Sequence, residues 1–395
     1  MTRSSLSASE TGKRWHKGLK WLFLGVLTAF IILLLHQPDL RNGLPGLLLI
    51  LDIAAGEQDS LLKRITPIPT RTPVTYSIKG KTYSGDLYRS AEQSRAGILL
   101  IPGAAEGGKD DARLVAFANT LARGKFTVLV PDLVGMKKLQ VGSENIQEIT
   151  DSFIQLEAYL NATSRKKGGI CAFSYAVGPA ILASLSPEIR SRVCFVMGIG
   201  GYYDLSRVMT FFTTGYFKDQ SGRWLHRNPN EYGKWVFVMS NLGLLSNEKD
   251  RQLFRSMAKR KMDRPVEGVD DLANQLGNEG KCFYNLITNR DPSRVPLLIA
   301  YLPERIRREI SALDLSNKNL SSLKAGLILV HGLDDDIIPY TESVALARAL
   351  PPGQARLFLA KGLFHVDVKT DLWEGWQLWR SVVALLEARD REGCN

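Results

Sequence analysis

Cysteine is scarce in this chain: there are four, at Cys171, Cys194, Cys282 and Cys394, and none falls in a C-x-x-C or Cys/His metal pattern. Zinc modules and redox dithiols are therefore excluded. Cys171 and Cys194 lie inside apolar runs, where a free thiol behaves as a small hydrophobe, so the cysteines demand neither a disulfide nor a metal. Histidine is scarce too, with five residues, which makes a search for a catalytic base short. No internal repeat or low-complexity tract occurs, which excludes solenoids and disordered arrays. A basic stripe interleaved with aromatics is also absent, so the net charge of +11 does not point to nucleic acid.

What is present is a globular composition, 45% hydrophobic and 23% charged over 395 residues, enough for one large domain with an insertion. Part of the positive charge sits in a basic tail, residues 1–20, where Arg3, Lys13, Arg14, Lys17 and Lys20 face only Glu10. From Trp21 to Leu35 the chain carries no charge. The run is a little short of the roughly 20 residues that span a bilayer, and the small residues a signal peptidase needs do not follow it. The expectation is an uncleaved transmembrane signal anchor over 21–36. Its preceding cations would keep the N-terminus cytoplasmic and place the remainder on the extracytoplasmic side. Residues 37–73 read as a juxtamembrane segment and linker. Within them, the apolar run Leu44 to Ala55 is broken by Pro45 and Asp52 and fits either an interface or a docked helix.

From Val74 strands and helices alternate. Val74–Ile78 and Thr82–Tyr88 form a hairpin pattern. Buried strands follow at Ala96–Ile101, Phe126–Val130, Gly169–Phe173 and Val193–Met197. Helices are expected between them at Asp110–Arg123, Ser143–Leu160 and Ala176–Leu185. This is the pattern of an α/β fold with a mostly parallel sheet. It stops near Asp204 and resumes with Gly326–Val330, Thr341–Leu350, Ala355–Leu359 and a closing helix from about Leu372 to Glu387. The core is thus 74–204 with 325–395. The aromatic, mostly helical 205–324 is a cap over the carboxyl ends of the strands, where such sheets bind ligands.

A serine hydroxyl needs a base to take its proton and an acid to orient that base. His16 and His36 flank the expected anchor, His226 lies in the cap and His331 ends a strand; His365, in the loop after the last strand, is favoured. Ser174 stands between a buried strand and a helix in Cys171-Ala172-Phe173-Ser174-Tyr175-Ala176-Val177-Gly178. Such a turn aims the Tyr175 N–H at a developing oxyanion, and the loop after Ile101-Pro102-Gly103 offers a second N–H, most simply that of Ala104. The stretch Gly103–Lys109 mimics a phosphate-binding loop, but Asp110 stands where a metal-binding Ser or Thr is required.

Ser174, Asp335 and His365 occur in that chain order, and His331-Gly332-Leu333-Asp334-Asp335-Asp336-Ile337-Ile338-Pro339 carries the acid. In this the chain resembles the α/β-hydrolase superfamily, in particular its dienelactone-hydrolase-like, esterase and peptidase-like branches, from Val74 onward apart from the cap. The resemblance implies Ser174 as nucleophile, His365 as general base, Asp335 as orienting acid and Ala104 with Tyr175 as oxyanion hole. Asp334 and Asp336 neighbour the acid, and Asp204 is a position some relatives use instead. Two departures stand out: Ala-x-Ser-x-Ala replaces Gly-x-Ser-x-Gly, and Pro102-Gly103 replaces His-Gly. The expected activity is hydrolysis of an ester-type bond, with thioesters, lactones, amides and transfer to an alcohol left open, on an apolar or lipid-like acyl substrate and with neither cofactor nor metal. The alternative is a non-catalytic hydrolase-fold module for binding or assembly at the membrane.

Overall fold

The computed structural model describes residues 41–161, 167–264, 266–364, 367–368, 375–391 and 393–394. The expected anchor and basic tail lie outside the described residues, as do His365 and the start of the closing helix. Among the described residues no helix is long and apolar enough to cross a membrane.

The core is an eight-stranded sheet. Strands β1 (Thr70–Ile78) and β2 (Lys81–Arg89) form a hairpin, followed by β3 (Ala96–Ile101), β4 (Phe126–Pro131), β5 (Gly168–Phe173) and β6 (Val193–Ile199). After two short cap strands, β7 (Tyr216–Lys218) and β8 (Trp224–His226), come β9 (Gly326–Gly332) and β10 (Ala355–Ala360). Their order is β1-β2-β4-β3-β5-β6-β9-β10. Strand β2 runs antiparallel to both neighbours and the remaining pairs are parallel. The hairpin turn needs two residues at positive φ, supplied by Lys79 (51°) and Gly80 (78°).

Helix α1 (Gly43–Ala55) and helix α2 (Leu61–Ile65) precede the sheet. The segment expected to be a linker is thus partly helical, and β1 begins at Thr70, four residues before Val74. Helices α3 (Ala112–Arg123), α4 (Glu144–Asn161) and α5 (Val177–Leu185) lie close to their expected places. The first opens two residues late, because Asp111 caps it by accepting the Arg113 N–H. The cap contains α6 (Leu205–Thr214), α7 (Glu231–Asn241), α8 (Glu248–Asp263), α9 (Asn278–Ile287) and α10 (Glu304–Leu313). It is mostly helical as expected, with the β7–β8 hairpin as an addition. Helix α11 (Thr341–Arg348) and helix α12 (Trp376–Asp390) complete the core.

Helix α1 docks on the domain. Trp379 Nε1 in α12 donates to the Gly43 carbonyl at 2.9 Å. Gly46 lies so close to α12 that a Cβ there would sit 2.9 Å from Val383 Cγ2. Asp52 is buried and accepts from Thr120 Oγ1 of α3 at 2.6 Å and from Ser60 Oγ, with Lys63 Nζ at 3.2 Å. A carboxylate inside an apolar helix is tolerated because it is paired on both oxygens.

One expectation about cysteine is corrected. Cys194 is bonded to Cys394, while Cys171 and Cys282 are free. The partners are 200 residues apart, a separation over which a sequence gives no pairing signal.

Candidate active site

Strand β5 is apolar and buried, and it delivers Ser174 to the sheet's carboxyl edge. Phe173 is extended (φ −113°), then Ser174 turns to φ 55° before Ser174–Ala176 and α5 wind into helix. A non-glycine residue held in the left-handed region is strained, and such strain clusters at functional sites. The small neighbours are required by packing: Ala172 and Ala176 are fully buried. Alanine therefore fits where the related motif has glycine. The tight approach falls instead on Gly178, where a Cβ would sit 2.0 Å from the Tyr202 hydroxyl.

The β3 loop comes up beside the serine. A Cβ on Gly103 would lie 3.6 Å from Ser174 Cβ. Ala104 follows it and, like Tyr175, is almost fully buried. Tyr232 of the cap donates its hydroxyl to the Ala104 carbonyl at 2.5 Å, which fixes the orientation of this loop. Nothing local in the sequence separated Tyr232 from the other cap aromatics. Burial pushes the Tyr175 phenol above its usual range, and the Asp335 carboxylate adds to the shift. A Cβ on Gly233 would meet both the Tyr175 hydroxyl (3.3 Å) and Ile337 Cγ2 (2.9 Å), so the segment after Asp335 lies close to the side chain of the residue after Ser174.

Among the three neighbouring aspartates, Asp335 alone is fully buried. Its Oδ1 accepts the N–H groups of Ile337 (2.8 Å) and Ile338 (2.9 Å). Its Oδ2 lies 3.3 Å from His331 Nε2. His331 is committed elsewhere: Nε2 donates to the Ile338 carbonyl at 2.9 Å and Nδ1 pairs with Ser343 Oγ at 2.7 Å. A ring engaged at both nitrogens in a closed site braces the turn. Asp334 accepts the Gly362 N–H at 3.1 Å. Asp204 caps α6 through Ser206 N (2.9 Å) and Arg207 N (3.3 Å), which is a structural task.

His365 lies outside the described residues. The chain leading to it is tied to the loop that carries Asp335: Leu333 N donates to Ala360 O at 2.8 Å, and Gly332 leaves no room for a Cβ beneath the Leu363 carbonyl. Cap and acid loop are joined as well, since Asn230 N donates to Asp336 O (2.7 Å) and Arg227 Nη1 to Asp335 O (2.9 Å).

Ser174, Gly103, Ala104 and Tyr232 line a cavity of about 610 Å³. Its remaining wall is mostly apolar, and α1 contributes to it. The loop that mimics a phosphate site is not built as one. Lys109 Nζ is held by Asp86 (2.9 Å) and Asp110 (3.1 Å), so its charge is internally paired. No group of metal-ligating side chains occurs among the described residues.

No family model matches the sequence, and no curated protein matches it. Solved structures do. The rice cell wall degrading esterase LipA from Xanthomonas oryzae superposes with a TM-score of 0.51 at 13% identity, over 84% of this chain and 92% of its own. An esterase from Pyrococcus furiosus gives 0.43 at 13% identity over 80% and 91%. An acylaminoacyl peptidase from Pyrococcus horikoshii gives 0.45 at 12% over 84% of this chain and 43% of its own. At such identities likeness speaks for the fold alone. Strand order, the antiparallel second strand and the superposition on LipA agree: the chain has the α/β-hydrolase fold.

Proposed function

We propose that this protein is a serine hydrolase acting on an ester-type bond of an apolar acyl substrate, held at a membrane by its N-terminal segment. The observation that carries the reading is Ser174 itself, a non-glycine residue at φ 55° on a strand-to-helix turn that lines the cavity. Ser174 Oγ attacks the acyl carbonyl while His365 accepts its proton, and the Ala104 and Tyr175 N–H groups stabilise the oxyanion. The same histidine returns the proton to the departing alcohol, leaving an acyl-serine. Water, deprotonated by His365, then releases the acid and restores the hydroxyl. Asp335 orients the histidine. Its Oδ1 accepts two backbone N–H groups, which hold the carboxylate in one orientation.

The anchor over 21–36 and an extracytoplasmic domain belong to the same proposal. The Cys194–Cys394 bond supports that side of the membrane, since disulfides persist in oxidising compartments. Intact-mass analysis after exposure to a fluorophosphonate tests the mechanism. A single adduct is expected on wild type, absent in Ser174→Ala and at least tenfold slower in His365→Ala. Folded wild type that takes up no adduct would overturn the mechanism in favour of a binding module.

A further inference from the structure

Helix α1 has two apolar faces, and only one is used by the fold. Gly46, Leu49 and Ile53, spaced by three and four, turn toward α12, α3 and the cavity. Leu44, Leu47 and Leu51, spaced the same way on the opposite side, are 66%, 44% and 48% exposed. Three adjacent exposed leucines on one helix are an unusual arrangement for a surface that stays in water. At the start of α12, Trp376 is 57% exposed and stacks on Trp379, whose ring nitrogen is bonded to Gly43 in the first turn of α1. An exposed indole on the helix that clasps α1, together with an exposed leucine face on α1, is the composition of a membrane interface. The chain outside the structure supports the same occupant. Residues 1–40 end immediately before Arg41, and they contain the uncharged run Trp21–Leu35 with its five preceding cations.

The inner face of the same helix lines the cavity that holds Ser174. Leu49, Ile50 and Ile53 form its wall together with Phe117 of α3 and Val382 and Leu385 of α12. One helix thus separates an exposed leucine surface from an apolar cavity with the serine in it.

We infer that the Leu44–Leu47–Leu51 face and Trp376 lie in the interfacial region of a lipid bilayer, and that the cavity behind α1 takes the acyl chain of a membrane-resident ester directly from it. This rests on the hydrolase reading above and names its substrate class: a lipid with a long acyl chain in ester linkage. The chemistry is that of the proposed mechanism, with acyl transfer to Ser174 Oγ and then to water.

The test uses the full chain in phosphatidylcholine–phosphatidylglycerol vesicles. Two esters are compared: soluble p-nitrophenyl butyrate and 4-methylumbelliferyl oleate dissolved in the vesicles. The variant Leu44→Glu/Leu47→Glu/Leu51→Glu is expected to lose at least tenfold on the oleate and to keep butyrate hydrolysis within twofold. Ile53→Trp, inside the cavity, is expected to lower oleate turnover selectively in detergent as well. Vesicles with brominated acyl chains should quench wild-type tryptophan emission more than that of Trp376→Phe. If the triple variant loses both esters through misfolding, Leu47→Glu alone carries the comparison. Unchanged oleate turnover in the glutamate variants, or equal quenching with and without Trp376, overturns the inference. So does a wild-type dimer that the glutamates dissociate, since the face would then meet a second copy. Wild type inert on both esters overturns the hydrolase reading and the delivery with it, while the quenching still reports separately on docking.

Discussion

Ser174 and Glu342 show two ways in which single residues carry a cost that the surrounding fold sustains. Ser174 holds a left-handed backbone worth about 1–2 kcal/mol of strain, kept in place by buried alanines on either side. Glu342 opens α11 as a buried carboxyl that accepts the N–H groups of Asp204 (2.7 Å) and Tyr203 (3.1 Å). Burial pushes it up to about 7 from 4.5; those two bonds pull the other way, Asp204 adds repulsion and Arg207 opposes it. Between pH 4.5 and 7 the folded chain therefore keeps a proton that the unfolded chain has released. Stability from this group is full below pH 4.5, falls as pH rises through 7 and is flat above. The loss amounts to about 3 kcal/mol. Glu342→Gln should remove that slope, so its urea midpoint relative to wild type rises between pH 5 and pH 8. Parallel pH profiles for the two proteins would refute this.

At the scale of elements, α1 depends on Asp52. Replacing it with alanine strips partners from Thr120, Ser60 and Lys63 at once. Asp52→Ala should cost about 2–3 kcal/mol in urea unfolding and speed amide exchange across residues 43–55 before the sheet is affected. How much of this was legible in the sequence depended on distance along the chain. The β1–β2 turn was, because Lys79 and Gly80 sit between two alternating runs. So was the strand–Ser174–helix unit, whose signals all fall within a few residues. The preference for Asp335 over Asp334 and Asp336 rested on the spacing to Pro339, and the different burial of the three, Asp335 alone being fully buried, was not legible because it depends on how the loop folds. The docking of α1 was not legible at all. Leucines on both faces read the same for an interface and for a docked helix, and Asp52 finds Thr120 68 residues away. Tyr232 was hidden for the same reason, since Ala104 is 128 residues distant.

For the whole molecule, the sheet sets the positions and the covalent and helical closures hold them. The Cys194–Cys394 bond ties the start of β6 to the C-terminal end across 200 residues. Cys394→Ser is expected to lower the unfolding free energy by about 2–4 kcal/mol. Unfolded, unreduced wild type should titrate only two thiols, those of Cys171 and Cys282. Four titrating thiols would show that the bond is absent. The cap, inserted between β6 and β9, meets the loop after β3 through Tyr232 and the Asp335–Asp336 segment through Asn230 and Arg227. The position of the cap and that of the loops around Ser174 are therefore coupled.

The clasp between Trp379 and Gly43 joins residues 336 positions apart. A ribosome adds about 5–20 residues each second, so the two halves of that clasp are made roughly 20–70 s apart. Throughout that interval the inner face of α1, with Gly46 and Leu49, has been synthesised and its seat on α12 has not. The first of the described helices waits for the last, and the maturing polypeptide must shelter an oily surface for most of its own manufacture.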